Sequence, residues 1–170
     1  MREKFIFVAA LAFMASGCRY LDNDEAPLIA EPQGEAAVTE STFGSGPEQI
    51  WLNKAKEHFR HGEYGLAERF FRRAVEERYN NVEAWLGLAA SYDHLKRFDE
   101  ADRAYKVVTK MAGRTPSVLN NLGYHYMLKG DFAEAERTLR DAAQQDPKNP
   151  YIQSNLNLLA EWRAKAGRQG

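Results

Sequence analysis

Trp51, Trp85 and Leu119 stand 34 residues apart, and the coincidence extends through the whole interval. Tyr64, Phe98 and Phe132 recur at the same spacing; so do Ala67, Ala101 and Ala135, and Phe71, Tyr105 and Leu139. No insertion breaks the register between residues 48 and 149, which divides into units 48–81, 82–115 and 116–149. A period of this length without strand alternation points to a stack of supersecondary units, none able to bury its apolar face alone. Alanine falls where helices must approach closely, and large apolar side chains fill the space between them. Gly62 and Gly130 mark a turn inside their units, with Lys96 at that place in the middle copy, and Pro147-Lys148-Asn149 closes the third. Residues 150–166 read as half a unit. Ile152, Leu156 and Leu159 make one apolar stripe, while Gln153, Glu161, Arg163 and Lys165 are polar, so this helix is expected to cap the stack and end at Gly167.

The composition fits this reading. With 44% hydrophobic and 28% charged residues the chain can bury a core, and a mean hydropathy of −0.59 excludes a bundle of membrane spans. The net charge of −1 hides an asymmetry. Residues 19–47 set one arginine against six acids, whereas residues 48–170 carry 20 basic and 17 acidic side chains. Neither part shows the basic stripe that nucleic-acid binding requires, so no nucleic-acid partner is expected. The single cysteine, Cys18, excludes an internal disulfide and a CxxC pair.

That cysteine follows a targeting pattern. Arg2 and Lys4 precede an apolar run from Phe5 to Met14, then Ala15-Ser16-Gly17 and Cys18. The run spans about 15 Å as a helix, half of a bilayer core, which favours a cleaved signal peptide at 1–17 over a permanent anchor. The site resembles the bacterial lipobox, with Ala15 where leucine is usual, and the resemblance implies that Cys18 becomes an acylated N-terminal residue. Several acyl chains give stable membrane attachment where one is marginal. Residues 18–47, with three of the six prolines, Gly44-Ser45-Gly46 and no periodicity, are expected to be a lipidated, flexible acidic linker. Arg19 after the cysteine points, by enterobacterial sorting rules, to the outer membrane facing the periplasm.

The repeat itself resembles the tetratricopeptide repeat (TPR). The third unit is nearest that pattern, with Leu122-Gly123, Tyr126, Gly130, Ala135, Ala142 and Pro147, while the first has Lys54-Ala55 for Leu-Gly and His58 for tyrosine. The resemblance implies an all-α solenoid of three helix pairs plus a capping helix, over residues 48–166, with a concave wall lined by the first helix of each pair. The inward family positions carried onto this chain include Asn53, Lys56, Leu86, Asn120, Asn121, Tyr124, Leu128, Asn155 and Leu158. Asn121 and Asn155, one repeat apart, either present amides to an extended peptide, with leucine pockets beside them, or bond a neighbouring carbonyl. Clamping of an acidic C-terminus is disfavoured, because Leu52 and Gly87 stand at two of the positions that clamp needs.

No catalytic motif is present: HExxH, GxSxG, Walker and CxxC patterns are missing, and the four histidines lie on three repeats. No catalytic residue, metal site or cofactor is expected, and His58 and His61 read as surface residues. Among lipidated TPR proteins, the size, the repeat number, Asn120-Asn121-Leu122-Gly123 and Asn155-Leu156-Asn157-Leu158 look most like the assembly lipoproteins of tight-adherence (Tad/Flp) pilus systems. That resemblance implies a pilotin or assembly factor that holds a secretin or another pilus component in its groove. The alternative is a periplasmic adaptor for cell-wall enzymes or outer-membrane protein assembly. Replacing Cys18 with serine is expected to leave an unprocessed precursor that takes up no palmitate; metabolic labelling equal to wild type refutes lipidation.

Overall fold

The computed structural model describes residues 46–168. Cys18, the expected signal peptide and all but the last two residues of the expected linker lie outside the described residues. The described chain is seven helices: α1 (Pro47–Arg60), α2 (Tyr64–Glu77), α3 (Val82–His94), α4 (Phe98–Ala112), α5 (Pro116–Lys129), α6 (Phe132–Gln145) and α7 (Pro150–Ala166). No strand occurs among the described residues, so the all-α solenoid of three helix pairs and a final capping helix is the observed fold. Pro47, placed by sequence in the linker, opens α1.

Local chemistry starts and stops these helices. Proline occupies the first position of α1, α5 and α7, where its missing N–H costs nothing and its fixed φ suits the helix. Asn81, Thr115, Asp131 and Asn149 cap the next N-termini by accepting from backbone N–H groups at 3.0, 3.4, 3.1 and 3.1 Å. Within each pair the chain reverses through a left-handed residue: Gly62 at φ 72°, Lys96 at φ 58° and Gly130 at φ 81°. The turn geometry is therefore shared by all three units, and in the middle one a side chain tolerates it.

Successive helices pack antiparallel within and between pairs. The first helices also touch in series, α1 on α3, α3 on α5 and α5 on α7, whereas α2, α4 and α6 do not meet one another. The stack therefore curves, with the odd helices on its inner wall. Close approach depends on small residues. Ala55, Ala67, Ala74, Ala89, Ala101, Ala135 and Ala142 have no exposed surface. Glycine serves where even alanine is too large: a Cβ on Gly123 meets Leu139 at 2.5 Å, and one on Gly87 meets the Phe71 ring at 2.2 Å.

The apolar core is not continuous. One cluster runs from Leu52 through Phe71, Leu88, Tyr105 and Val108 to Val118. The third unit and α7 form two smaller clusters, Leu119–Ala142–Ile152 and Met127–Ala135–Leu139–Leu159. Ion pairs supplement the junction of the first two units, where buried Glu68 accepts from Arg72 and from Arg97 at 3.2 Å, and Arg72 donates to the Tyr92 hydroxyl at 3.0 Å.

Two outcomes test this packing. Ala101→Leu and Ala135→Leu are each expected to lower stability by about 1–3 kcal/mol in urea unfolding, because a larger side chain has no room there. Lys96→Gly is expected to raise it by about 0.5–1 kcal/mol, since relief of the left-handed strain exceeds the entropy that glycine adds to the unfolded chain.

Candidate peptide-binding wall

The inner wall is built from the faces of α1, α3, α5 and α7 that their paired helices leave uncovered. At its N-terminal end Asn53 is exposed and accepts from Gln49 at 2.9 Å, and the Lys56 ammonium donates to Glu83 at 2.8 Å across the first two units. This pair is partly exposed on both sides, so water and salt screen it. Leu86 is buried at 8% exposure and belongs to the core cluster, while Leu128 and Leu158 remain partly exposed. Tyr124 and Leu158 pack against the separate Met127–Ala135–Leu139–Leu159 cluster.

Of the two roles open to the asparagines, the structure shows bonding within the protein. Asn155 donates to the Asn120 carbonyl oxygen at 3.0 Å in a buried contact between α7 and α5, with the two residues 2% and 1% exposed. Asn121, at 4% exposure, donates to the Ser117 backbone carbonyl at 2.9 Å, one turn back on its own helix. All three are buried, Asn120 and Asn155 pack between α5 and α7, and the Asn120 Nδ2 is buried without a hydrogen-bond partner. Leu52 and Gly87, at the positions a carboxylate clamp needs, lie in the core and against the Phe71 ring.

What the wall does offer is aromatic. The Tyr64 and His94 rings stack with centroids 3.9 Å apart and an interplanar angle of 5°. Phe59 meets both edge-on at 5.1 and 5.4 Å, and Tyr124 lies 6.5 Å from His94. Four helices thus contribute to one group: Phe59 from α1, Tyr64 from α2, His94 from α3 and Tyr124 from α5. Burial pushes the His94 imidazole down to about 4, so it stays neutral at ordinary pH, and its Nε2 is buried without a hydrogen-bond partner. Burial likewise raises the Tyr64 and Tyr124 phenols above their usual range, keeping both as neutral O–H groups. Tyr64 was visible in the sequence only as a recurring aromatic; that it reaches the wall required the turn at Gly62 to be seen.

Elsewhere the polar groups pair with each other. His58 Nδ1 faces Glu63 at 2.5 Å and its ring stacks on Phe70, which occupies the imidazole at the helix turn. On the outer face Arg140 pairs with Glu136 at 2.6 Å, Arg114 with Asp141 at 2.9 Å, and Arg163 also reaches Glu136. Among the described residues no three His, Cys, Asp or Glu side chains converge as a metal set, and no helix is long and apolar enough to cross a membrane.

Family models of the tetratricopeptide repeat match residues 52–110 and 116–149, together more than half of the chain. The protein belongs to the tetratricopeptide-repeat family. No curated protein sequence matches it. Similar solved structures include the first TPR of Spaghetti (RPAP3) bound to the HSP90 peptide SRMEEVD, at 16% identity, TM-score 0.60, covering 71% of this chain and 96% of that one. The Yersinia enterocolitica type III secretion chaperone SycD, in complex with a peptide of the translocator YopD, is 20% identical, TM-score 0.57, covering 71% and 97%. The TPR domain of Arabidopsis OM64 is 16% identical, TM-score 0.59, covering 67% and 94%. At these identities the likeness shows the fold.

Two predictions arise from the wall. Asn155→Ala strands a buried amide on Asn120 and is expected to cost about 1–3 kcal/mol in thermal or urea unfolding. His94 is neutral when folded but titrates at its ordinary value when unfolded, so its contribution is present above about 6.5 and lost as pH falls towards about 4. A His94→Phe variant is expected to lose less of its melting temperature than wild type between those two pH values.

Proposed function

We propose that this protein is a lipid-anchored periplasmic scaffold that holds an extended segment of a partner protein against its concave wall. The observation that carries the binding role is the half-buried aromatic group of Phe59, Tyr64, His94 and Tyr124, assembled by α1, α2, α3 and α5 of a TPR stack. Such rings give a segment apolar contact area at low entropic cost, and hydroxyls at Tyr64 and Tyr124 supply polar ends. Solved TPR domains of similar fold are described as bound to HSP90 and YopD peptides, which supports peptide binding by this wall.

The anchoring half rests on Cys18 after its short apolar run, and the compartment on the lipobox-like pattern. Within that class, the resemblance to tight-adherence pilus lipoproteins favours a pilotin or assembly factor whose partner is a secretin or another pilus component. The acidic segment 19–47 then spaces the wall from the outer membrane, at a distance on the order of 30 Å for a flexible chain of that length.

Purification of tagged wild type and Tyr124→Ala from envelope extracts tests both halves. A pilus component is expected with wild type, bound about tenfold more weakly by the variant, since truncating a central aromatic anchor costs at least about 1–2 kcal/mol. Circular dichroism checks that the variant is folded. An unchanged partner profile refutes the role of the wall, and recovery of amidases or other wall hydrolases without any pilus component favours the adaptor reading instead.

A further inference from the structure

A chain of polar side chains crosses the junction of the second and third units, beside the apolar packing that reaches Val118. His125 of α5 has no exposed surface. Its Nδ1 lies 2.5 Å from Oδ1 of Asp93 on α3, and its Nε2 lies 2.9 Å from Oδ1 of Asp102 on α4. The second oxygen of each carboxyl is also occupied: Tyr105 donates to Asp93 at 2.9 Å, and Lys129 donates to Asp102 at 2.7 Å. Asp93 is 3% exposed, so water does not replace these partners.

Counting protons in this chain leaves a deficit. A neutral imidazole has one N–H and one lone pair, and an ionised carboxylate only accepts. With both ring nitrogens against carboxyl oxygens, a neutral ring would aim a lone pair at one of them. One additional proton removes the conflict, either on the ring, so that both nitrogens donate, or on Asp93, so that its carboxyl donates to Nδ1 while Nε2–H donates to Asp102.

We infer that the Asp93–His125–Asp102 cluster binds one proton more in the folded protein than in the unfolded chain at neutral to mildly alkaline pH, making the junction of the second and third units a proton-dependent seam. The groups facing the cluster are Asp93 from α3, Asp102 and Tyr105 from α4, and Lys129 and Tyr126 from α5, with Asp99 acting on Lys129, Glu134 on Tyr126 and Tyr124 on Tyr105. Burial raises the Asp93 carboxyl above its usual range despite the hydrogen bonds from His125 and Tyr105, which agrees with the count. The sign follows. In the unfolded chain above about pH 7 the histidine is neutral and both aspartates are ionised, so folding takes up a proton. Stability is therefore present at lower pH and falls as pH rises, until the folded cluster also gives up its proton. Asp102, held below its usual range by Lys129 and His125, acts with the opposite sign, but only in acid.

The inner wall crosses this seam from His94 to Tyr124. Loss of the proton turns a closed chain of hydrogen bonds into a repulsive contact at the junction of the second and third units. Control of the wall's curvature by pH rests on the peptide-binding reading above; the proton itself does not, and the test below needs no partner.

The test is urea unfolding from pH 7 to 9 of wild type and of Asp93→Asn. Asparagine is isosteric and can donate to Nδ1 while accepting from Tyr105, so the neutral ring is satisfied without the extra proton. Wild type is expected to show an unfolding constant that rises up to tenfold per pH unit, the linkage slope of one proton, and the variant a flat profile. Should the variant fail to fold, nuclear magnetic resonance of folded wild type at pH 7.5 decides: a second ring proton on His125, or a protonated Asp93 carboxyl, is expected. Equal pH slopes in the two proteins, or a ring with a single N–H beside an ionised Asp93, overturns the inference.

Discussion

Close helix approach at residues with little or no side chain is the constraint on which everything else in this protein rests. Ala55, Ala67, Ala89, Ala101 and Ala135 are completely covered, and Gly123 sits where a methyl group would strike Leu139. Interiors are packed as densely as organic crystals, so one added methylene at such a point is felt by both helices. The same approach fixes the distance between successive pairs and hence which side chains can meet across them. Phe71 and Leu139 fill the space that these small residues leave. The curvature of the stack, with odd helices in contact and even ones apart, is the sum of these repeated approaches.

Curvature creates a wall, and the residues on it divide by whether their bonding capacity is already used. Asn120, Asn121 and Asn155 are buried and each bonds inside the protein, with only the Asn120 Nδ2 left unpartnered. Phe59, Tyr64, His94 and Tyr124 contact one another and remain half-buried. Aromatic rings suit such a role because burying them releases apolar area, whereas an unsatisfied amide in the same place costs free energy. The wall is accordingly less polar than its asparagine-rich sequence suggests.

The two junctions between units are held by different physics. Between the first and second, apolar packing is continuous and the Glu68–Arg72–Arg97 pairs decorate its edge. Between the second and third, that packing continues only to Val118 and Leu122 while the rest of the third unit packs separately, and a buried histidine bridges two carboxyl groups. A buried polar chain of this kind is stable only when every member has a partner of the right protonation state. Its strength therefore depends on solution conditions in a way that the first junction does not share.

The period of 34 residues determined the repeat, the helix pairs, the left-handed turns and the capping helix, because a close approach repeated along the chain must recur in the sequence as small residues at one interval. It also placed Tyr124, Leu128 and Leu158 on the inner helices. Which inner residues face outward was decided only by the tertiary structure. A rule of positions treats Asn155 as it treats Asn121, yet Asn155 ends against Asn120, and Asn121 turns back to Ser117. Tyr64 reaches the wall from a second helix, and His125 finds carboxyl groups 23 and 32 residues away. No local pattern announces such meetings, because each depends on the angle between whole helices, a quantity that sums many side-chain contacts and belongs to no single residue.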